Sequence, residues 1–466
     1  MRKKVLILGA GLAGLSAGWK LSEWGYEIEV FEAEPQVGGL AKSYHHGEFI
    51  IDTGPHRFWS KQTRIIQEIE ELLGRGNFLT LRRKSRIYVN GNFIEYPVTV
   101  RSILQMPSLT ALKAMGEYAL QYLKRHLSQN SNEAFEHYVR NHFGHTLYRL
   151  FFGDYTKKLL GISPTILSSD WARQRIPFLG LKRAICDAFN NNKKTWSDHG
   201  NIFRYPRRGI GDISEAMKVK IQKNGGRVWL NSPITRVLLH QNYVEIACLN
   251  DLKHEQSHIG DCVISTIPIT CLVKFLIPKP PISILMTAKQ LKYRSIIFLY
   301  LFFTNENITE DNWLYFPEKE IIFNRISEAK MFSKEMSPLS HTSFCVEITC
   351  NKDDYLWHSD LDDLKNKALE TLKNTKLIKE DTTVTAFMAK EPYAYPIYIL
   401  GYNNVLNSLF NYLYQYDQLI SIGRQGLFRY NNMDHSIDMG IKAAQWIHTY
   451  QNSAERDKIK QQIYFD

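Results

Sequence analysis

The first fifty residues alternate apolar runs with glycine turns in an order that predicts a βαβ unit. An apolar run at Val5–Leu8 has the pattern of a buried strand and leads directly into the glycine-rich segment Gly9–Gly14. Apolar residues at helical spacing follow, and a second strand is predicted over 27–31, just before Glu32. A strand, a glycine turn, a helix and a second strand are the opening of a Rossmann-type α/β fold.

The glycines of this unit have separate roles. Gly9 allows the tight turn, Gly11 lets the backbone approach a pyrophosphate, and Gly14 lets the helix pack close to the strand. The helix N-terminus then favours the phosphates, and a carboxylate at Glu32 accepts hydrogen bonds from the adenosine ribose, which disfavours NADP. The segment therefore predicts dinucleotide contacts at Gly9, Ala10, Gly11, Leu12, Ala13, Gly14, Glu32 and Ala33.

The remaining periodicity predicts further layers around this unit. In residues 101–195 the apolar side chains mainly recur at helical spacing. Residues 226–266 and 293–350 have strand patterns, including the apolar run Ile296–Phe303. We predict an α/β fold in which a Rossmann-type dinucleotide-binding domain carries an inserted helical domain and a β-sheet substrate domain. The predicted bounds are 1–75, 200–270 and 415–450 for the dinucleotide-binding domain, 100–199 for the helical domain, and 76–99 with 271–414 for the β-rich domain. Residues 451–466 are predicted to be a polar tail, which we expect to be disordered; the alternative is a basic tail that touches a membrane surface.

Composition narrows the functional class. The chain has 466 residues, 44% of them hydrophobic and 23% charged, and no apolar run is long enough to span a bilayer. Its six cysteines form no metal-ligand cluster, which predicts a cytoplasmic protein without a metal. The net charge of +11 suits an anionic substrate or surface, although scattered solvated lysines are the commoner explanation. No motif supports nucleic-acid binding, and nothing in the sequence indicates an oligomeric state.

A second glycine turn selects among the dinucleotides. The run from Glu32 to Ser43 includes Gly38, Gly39 and Leu40, and it resembles the extended FAD signature of amine oxidases, protoporphyrinogen oxidases, phytoene desaturases and UDP-galactopyranose mutases. A turn without side chains can lie against a long, bent cofactor, which favours FAD over NAD. No cysteine follows position 350, so a C-terminal cysteinyl-flavin bond has no residue to form it. We therefore predict non-covalent FAD.

Three further segments are predicted to contact the flavin. In related flavoenzymes a loop such as Gly54-Pro55-His56 passes over the ring, where His56 would polarise it; the alternative for His56 is a surface loop residue. A helix after Asn432 would aim its N–H groups at the flavin pyrimidine, although an ordinary N-cap explains that residue equally. Ile234 lies where this superfamily places a backbone edge against adenine. The remaining predicted contacts are Gly423, Arg424, Met433 and Ser436.

The chain resembles one branch in particular, the UDP-galactopyranose mutases of the longer eukaryotic type. The matching segments are discontinuous but run along most of the length: 156–175, 203–211, 313–318, 324–327 and 423–436. The resemblance implies an enzyme that acts on a nucleotide-activated sugar in cell-surface polysaccharide synthesis, through the flavin N5 and without net redox change. Several of the segments recur in protoporphyrinogen-oxidase-like proteins, whereas those near 313 and 325 favour the mutases.

Carried over residue by residue, the resemblance implies that Arg175 and Arg325 approach a nucleotide-sugar diphosphate. Two guanidinium groups can neutralise a diphosphate, and tyrosines add uncharged donors. The alternative is that the arginines form structural salt bridges and the tyrosines fill the core. The other implied substrate contacts are Arg86, Tyr96, Tyr315, Asn324, Tyr395 and Tyr430.

Two departures from the mutases bear on the substrate. The mutases have Gly-Gly-His at the flavin loop, whereas here Pro55 fixes φ and removes an N–H. The segment 430–434 is also shorter than in the eukaryotic mutases. A second hypothesis is therefore an oxidase or dehydrogenase of the amine oxidase or protoporphyrinogen oxidase type. A binding protein without catalysis is the third class and is disfavoured, because a complete flavin site is costly to specify.

Overall fold

The computed structural model describes residues 3–96, 108–124, 133–175, 201–379, 384–449 and 453–465. The described strands are β1 (Lys4–Leu8), β2 (Glu27–Phe31), β3 (Ser43–His46), β4 (Phe49–Asp52), β5 (Phe78–Arg82), β6 (Ser85–Val89), β7 (Asn92–Glu95), β8 (Ile202–Pro206), β9 (Arg227–Trp229), β10 (Ile234–Leu239), β11 (Val244–Leu249), β12 (Glu255–Gly260), β13 (Cys262–Ser265), β14 (Leu276–Ile277), β15 (Lys292–Phe303), β16 (Trp313–Tyr315), β17 (Arg325–Glu328), β18 (Thr342–Cys350), β19 (Val384–Ile397) and β20 (Leu419–Ser421).

The α-helices are α1 (Leu12–Glu23), α2 (Thr63–Leu73), α3 (Ser108–Lys124), α4 (Phe135–Phe143), α5 (His145–Leu147), α6 (Asp154–Leu160), α7 (Asp170–Arg175), α8 (Gly211–Lys223), α9 (Ile269–Phe275), α10 (Ile282–Ala288), α11 (Tyr355–His358), α12 (Leu361–Asn374), α13 (Tyr402–Tyr414), α14 (Gly423–Gly426), α15 (Met433–His448) and α16 (Ser453–Phe465). A π-helical turn, Tyr148–Gly153, joins α5 to α6, and short 3₁₀ turns lie at Ala329–Met331 and Lys334–Met336.

A five-stranded parallel sheet of order β20-β13-β1-β2-β9 forms the layer that contains the first glycine turn. Its strands come from widely separated parts of the chain, and β1 pairs with β2 on one side and β13 on the other. The predicted strands at 5–8 and 27–31 are confirmed, and so is the strand pattern over 226–266, which contains β9 to β13. The α/β class with a parallel sheet and additional sheets is confirmed as well, whereas the exact domain bounds stay a prediction.

A seven-stranded sheet of order β19-β15-β18-β17-β16-β6-β7 forms the second main layer. Strand β15, which lies between β19 and β18, is buried from Arg294 to Phe303, because both faces are covered. Odd-numbered residues such as Ile297 and Leu299 pack with Leu364 and Leu372 of α12, and even-numbered ones such as Phe298 pack toward the parallel sheet. Burial on both faces explains why this strand is an unbroken apolar run rather than an alternating one.

The helical prediction for 101–195 is confirmed where the structure describes it, over α3 and from α4 to α7. The rest of that prediction, at 101–107, 125–132 and 176–195, lies outside the described residues. Gly144, with φ of +84°, ends α4 and separates it from α5. The break therefore divides a stretch that the periodicity alone joins.

The prediction of a disordered C-terminal tail is wrong. Residues 453–465 form α16, and its Ile463 and Tyr464 are buried against the body of the protein. The Tyr464 hydroxyl accepts a hydrogen bond of 2.9 Å from the backbone N–H of Ser421 in β20. Lys460 donates to the carbonyls of Tyr414 and Tyr416 at 2.6 and 2.7 Å. The polar composition of this segment concealed two apolar side chains on a single helix face.

Candidate flavin and substrate site

The glycine turn after β1 has the geometry that close backbone packing requires. Gly9 has φ of +95°, and a Cβ at that position would collide with Oγ1 of Thr266. A Cβ on Gly14 would collide with the carbonyl oxygen of Gly9, so only glycine allows α1 to begin so close to β1. Gly11 is different, because a Cβ there would meet no atom within 4 Å. Its surface is open, as a ligand lying against the backbone requires.

Glu32 and the second glycine turn pack around this first turn. The Glu32 carboxylate accepts hydrogen bonds from the backbone N–H groups of Ala10 and Glu34, at 2.7 and 3.1 Å. Burial raises the pKa of Glu32 above its ordinary range, against the lowering effect of these two hydrogen bonds. The N–H of Gly38 donates to the carbonyl of Ala10 at 2.8 Å. The two glycine turns thus lie together at the N-terminus of α1. Ala33 follows Glu32 directly in the chain.

A second helix N-terminus is packed against the first. Asn432 is the N-cap of α15, and a Cβ on Gly440 would collide with Ser16 of α1, so these two helices cross at close range. A Cβ on Gly423 would lie 2.9 Å from the Cβ of Ala13. Three buried oxygens in this region, on Gln425, Asn431 and Asp434, have no hydrogen-bond partner among the described residues. Unsatisfied buried oxygens beside two helix N-termini fit a polar cofactor such as FAD.

The loop after β4 is fixed by a buried carboxylate. Asp52 accepts hydrogen bonds from the hydroxyls of Ser43 (2.6 Å) and Tyr205 and from the backbone N–H of Ile210 (3.2 Å). Burial raises the pKa of Asp52 to about 6, although these hydrogen bonds act in the opposite direction. Ser43 also accepts from the N–H of Gly211 at 2.8 Å. The Ser43 side chain thus anchors the loop, and its direct contact with the cofactor stays a prediction.

The same loop is held over the seven-stranded sheet. Gly54 has φ of +74°, and a Cβ there would lie 3.0 Å from the Phe298 ring and 3.4 Å from Oε1 of Glu347. The indole N–H of Trp313 donates to the carbonyl of Pro55 at 3.2 Å. His56 follows and is partly buried. A backbone segment with a glycine and a histidine is therefore positioned by the sheet beneath it.

A row of side chains crosses the sheet under this loop. In the strand registers Ile87 is opposite Tyr315, Tyr315 is opposite Arg325, Arg325 is opposite Glu347, and Glu347 is opposite Phe298. Directly opposed residues share one face of a sheet. The row therefore connects the loop at Gly54 with the residues that the sequence implicates in diphosphate binding.

Arg325 and Glu347 form a close, buried ion pair in the centre of this row. Nε and Nη2 of Arg325 donate to the two carboxylate oxygens at 2.8 and 2.9 Å, and the Arg325 side chain is 18% exposed. The structural salt bridge considered as the alternative for Arg325 is thus present. It occupies the Nε–Nη2 edge of the guanidinium, and the same guanidinium also has a hydrogen bond to the hydroxyl of Tyr315.

The surroundings of Tyr315 are strongly cationic. Burial alone would raise the pKa of the Tyr315 hydroxyl, but the charges of Arg83 and Arg325, a hydrogen bond with Arg325 and the charge of Arg57 outweigh it and lower the pKa. The rings of Tyr96 and Tyr155 lie 4.7 and 6.4 Å from the Tyr315 ring, measured between centroids. The arrangement joins several positive charges with tyrosine hydroxyls, which is a suitable environment for a polyanion.

Tyr395 and Tyr430 form a stack beside this cluster. Their rings are 5.8 Å apart at an interplanar angle of 15°, and Trp171 contacts both edge-on. Arg424 lies over the Tyr430 ring at 4.3 Å. It also donates to the carbonyls of Ala394 and Asn431, so it holds the chain together here, and its predicted contact with the cofactor stays a prediction.

The structure corrects the expected position of Arg86. Adjacent residues of a strand point to opposite faces, and Arg86 is opposite Leu314 rather than Tyr315. Its guanidinium is paired with Asp311, with Nε 2.8 Å from the carboxylate. Arg86 therefore faces away from the Tyr315 row. Arg83, which lies over the Tyr96 ring at 5.4 Å, contributes charge to Tyr315 instead.

The other predicted residues are placed as follows. Asn324 is buried and accepts hydrogen bonds from Thr349, and its Nδ2 has no partner among the described residues. Arg175 is the last residue of α7, and its side chain lies outside the described residues. Ile234 begins β10. Met433 and Ser436 lie in the first turn of α15, where Ser436 accepts from Asn431 at 3.1 Å.

Comparison with known proteins decides the family. A model of the flavin containing amine oxidoreductases matches residues 12–407. The chain belongs to this family. As a flavin containing amine oxidoreductase the protein uses FAD, which confirms the cofactor predicted from the two glycine turns.

Individual members of the family are distant relatives. An L-amino-acid oxidase of Crotalus adamanteus is 41% identical over 66 residues, and this match spans only 14% of the chain and 13% of that oxidase. Protoporphyrinogen oxidase 2 of Arabidopsis thaliana is 21% identical, and the alignment covers 98% of this chain and 96% of the relative. The first match is therefore local, whereas the second extends along nearly the whole chain of this flavin containing amine oxidoreductase.

Among solved structures, reduced UDP-galactopyranose mutase is similar over 98% of both chains, with a TM-score of 0.83 and 22% identity. At this identity the similarity establishes the fold alone. Within the described residues of this amine oxidoreductase, no helix is long and apolar enough to cross a membrane. No group of three His, Cys, Asp or Glu side chains in the same residues could hold a metal ion.

Reading the sequence missed Glu347, Arg83 and Asp52 as parts of the site. Glu347 interrupts β18, whose other residues are apolar or small, and a lone acid in a buried strand is an available signal for a paired charge. Lys158 was also missed. Its ammonium donates to the carbonyls of Phe316 and Glu318 at 2.8 and 2.9 Å, just beyond Tyr315.

Proposed function

We propose that this flavoenzyme acts on a nucleotide-activated sugar, as UDP-galactopyranose mutases do, in the synthesis of cell-surface polysaccharide. The observation that carries the proposal is the cationic cluster at Tyr315, where Arg325 shares a sheet row with the flavin loop and Arg83 and Arg57 add charge. A diphosphate requires such a cluster, whereas an apolar or amine substrate does not. The fold similarity to reduced UDP-galactopyranose mutase supports the same conclusion.

FAD, when bound, supplies the flavin N5 as the atom that meets the anomeric carbon of the sugar. The chain's own residues bind and orient the substrate. Arg325 provides positive charge for the leaving diphosphate, and Tyr315, Tyr395 and Tyr430 donate uncharged hydrogen bonds around it. Glu347 holds the guanidinium plane, so the charge is in place before the substrate arrives. Positioning of the reacting carbon and stabilisation of the leaving group account for the protein's part in catalysis.

Isothermal titration with UDP tests the binding role. Arg325→Ala should weaken UDP binding by about 100-fold or more while the protein retains its FAD absorbance, because a buried charged contact is lost. Arg175→Ala is expected to act in the same direction, since the resemblance places Arg175 at the same diphosphate. Arg236→Ala is the control, because that arginine is paired with Glu255 at the surface of another sheet. Unchanged UDP affinity in both Arg325→Ala and Arg175→Ala would remove the proposal.

The family match favours a second candidate function, an oxidase acting on an amine or on an apolar, porphyrin-like substrate. The parallel rings of Tyr395 and Tyr430 could attract a substrate cation. In this structure, however, the guanidinium of Arg424 already lies over the Tyr430 ring. The oxidase hypothesis predicts rapid bleaching of the flavin absorbance by substrate and transfer of the electrons to oxygen or a quinone. Stopped-flow absorbance with candidate amines and porphyrinogens distinguishes it from the mutase hypothesis.

A further inference from the structure

The helix α3 carries an apolar surface that the proposed flavin and substrate site does not use. Five of its large apolar side chains are exposed: Leu109, Leu112, Met115, Leu120 and Leu123. At 3.6 residues per turn these positions fall within an arc of about 140°. The opposite side of the helix buries Ala111 and Ala114. The helix therefore uses its small residues for packing and presents its large ones outward.

The charges next to this apolar arc are positive. Lys113 and Lys124 follow Leu120 around the helix, at about 20° and 40° beyond the arc, and both are exposed. Glu117 is the one acidic residue of α3 in the sequence. Its carboxylate accepts a hydrogen bond of 2.7 Å from the backbone N–H of Thr146, on the side that packs against α5. The outward surface thus combines leucines with lysines.

We propose that α3 docks this protein on an anionic lipid surface. A helix that lies in the interface inserts apolar side chains below the headgroups, while adjacent lysines meet the lipid phosphates. The five exposed side chains of α3 provide the inserted part, and Lys113 and Lys124 provide the charge. The net charge of +11 acts in the same direction over a longer range.

Charge complementarity favours lipid over a second copy of the chain. In an antiparallel two-fold pairing of α3 with its copy, the lysine edges would meet, because such a pairing joins like edges. In a parallel pairing the lysine edge of one helix would meet the Met115 edge of the other, and that edge has no acidic residue either. The apolar arc itself contains no carboxylate, and Glu117, which lies next to Lys113, is already held by the backbone N–H of Thr146. Anionic headgroups supply the missing negative charge.

Flotation of the FAD-loaded protein with vesicles tests this inference. Wild-type protein should float with phosphatidylcholine vesicles that contain about 30% phosphatidylglycerol, which gives a surface charge of roughly physiological size. With vesicles of pure phosphatidylcholine it should remain at the bottom of the gradient. The double variant Leu112→Gln with Leu123→Gln should lower the partition coefficient at least about tenfold. These leucines are 68% and 74% exposed, so their replacement leaves the fold intact. Lys113→Glu with Lys124→Glu should have a similar effect, and 0.5 M salt should weaken wild-type binding about as much.

The matched control is the pair Leu252→Gln and Leu339→Gln, which alters leucines that are 73% and 86% exposed elsewhere on the surface. This pair should float like wild type. The inference is overturned if wild-type protein ignores anionic vesicles, or if the α3 variants and the control float equally. It is also overturned if sedimentation without lipid shows a dimer that Leu112→Gln with Leu123→Gln dissociates, because the face is then an interface between copies.

Discussion

At Gly9–Gly14 the surface predicted to face the cofactor is backbone, whereas at the Arg325 row the surface proposed to face the substrate is made of side chains from five strands. The loop from Asp52 to His56 joins the two regions: Thr53 donates to the carbonyl of Leu40 at 3.0 Å, and Gly54 rests on Phe298. In the first region glycines remove side chains so that a ligand can approach. In the second, burial and pairing hold charges that water would otherwise solvate.

This difference predicts different sensitivities to substitution. The glycine turn tolerates no added atom where helix and strand touch, but it tolerates one where the surface is open. The arginine row should tolerate changes of shape better than changes of charge, because its role is electrostatic. Four experiments, from the largest expected effect to the smallest, test this contrast.

Gly14→Val should prevent formation of a folded, FAD-containing protein, because its Cβ would collide with the Gly9 carbonyl. Gly11→Val has room within the protein, so the apoprotein should keep its melting temperature within a few degrees while FAD affinity falls about 100-fold. Thermal melts and FAD titration of both variants check the pair. Equal loss of stability in Gly11→Val would show that Gly11 serves packing rather than ligand approach.

Asp52 should make the joining loop pH-dependent. Burial raises its pKa from an ordinary 3.8 to about 6, so the folded state binds a proton more tightly than the unfolded state. Stability from this group therefore increases as pH falls through about 6 and is fully present below about 4. Relative to Asp52→Asn, the wild-type free energy of unfolding should gain roughly 2 kcal/mol between pH 7 and pH 4. Urea titrations of both proteins measure the difference; a difference independent of pH would contradict the buried, shifted carboxyl.

Glu347→Gln should separate charge from shape in the arginine row. Gln keeps one acceptor for Arg325 but removes the negative charge, so UDP should bind about tenfold more tightly while the fold loses about 3 kcal/mol of stability. UDP titration and urea unfolding measure the two effects. Glu328→Gln is the control, since that buried carboxylate in the same sheet is held by Thr309 and Thr342 rather than by a cation. Weaker UDP binding in Glu347→Gln, with FAD retained, would mean that orientation outweighs charge.

Lys158→Met should have the smallest effect. Burial lowers the pKa of Lys158 to about 7, and its two hydrogen bonds to carbonyls hold the segment after Tyr315. Without them UDP affinity should fall about fivefold, through the looser position of Tyr315. Lys157→Met, at the exposed neighbouring position, should leave UDP affinity unchanged. An equal result for both lysines would remove the positioning role of Lys158.

The same contrast explains which features the sequence could predict. The glycine turn, Glu32 and the second glycine turn lie within 35 consecutive residues, so their spacing alone predicts a dinucleotide fold, and the family match confirms FAD. The Arg325 row depends on the register of strands that are far apart in the chain. Sequence pattern does not supply that register, which is why Arg86 was assigned to the wrong face and Glu347 was missed.

The prediction of a disordered C-terminal tail failed for a related reason. Two apolar residues, Ile463 and Tyr464, are too few to produce a clear helical period, and their burial depends on β20 and α13, which lie earlier in the chain. Arg175 and the implied substrate contacts around Tyr395 and Tyr430 rest on the resemblance to the mutases and stay predictions. The structure adds that these two tyrosines are stacked and that Arg424 holds their segment in place.

The most direct test of the proposed function is anaerobic incubation of the FAD-loaded protein with UDP-galactopyranose, with and without dithionite, followed by chromatography of the nucleotide sugars. A furanose product that forms only when the flavin is reduced is the expected result. Absence of any furanose product, together with bleaching of the flavin by an amine or a porphyrinogen, would contradict the mutase hypothesis and establish the oxidase in its place.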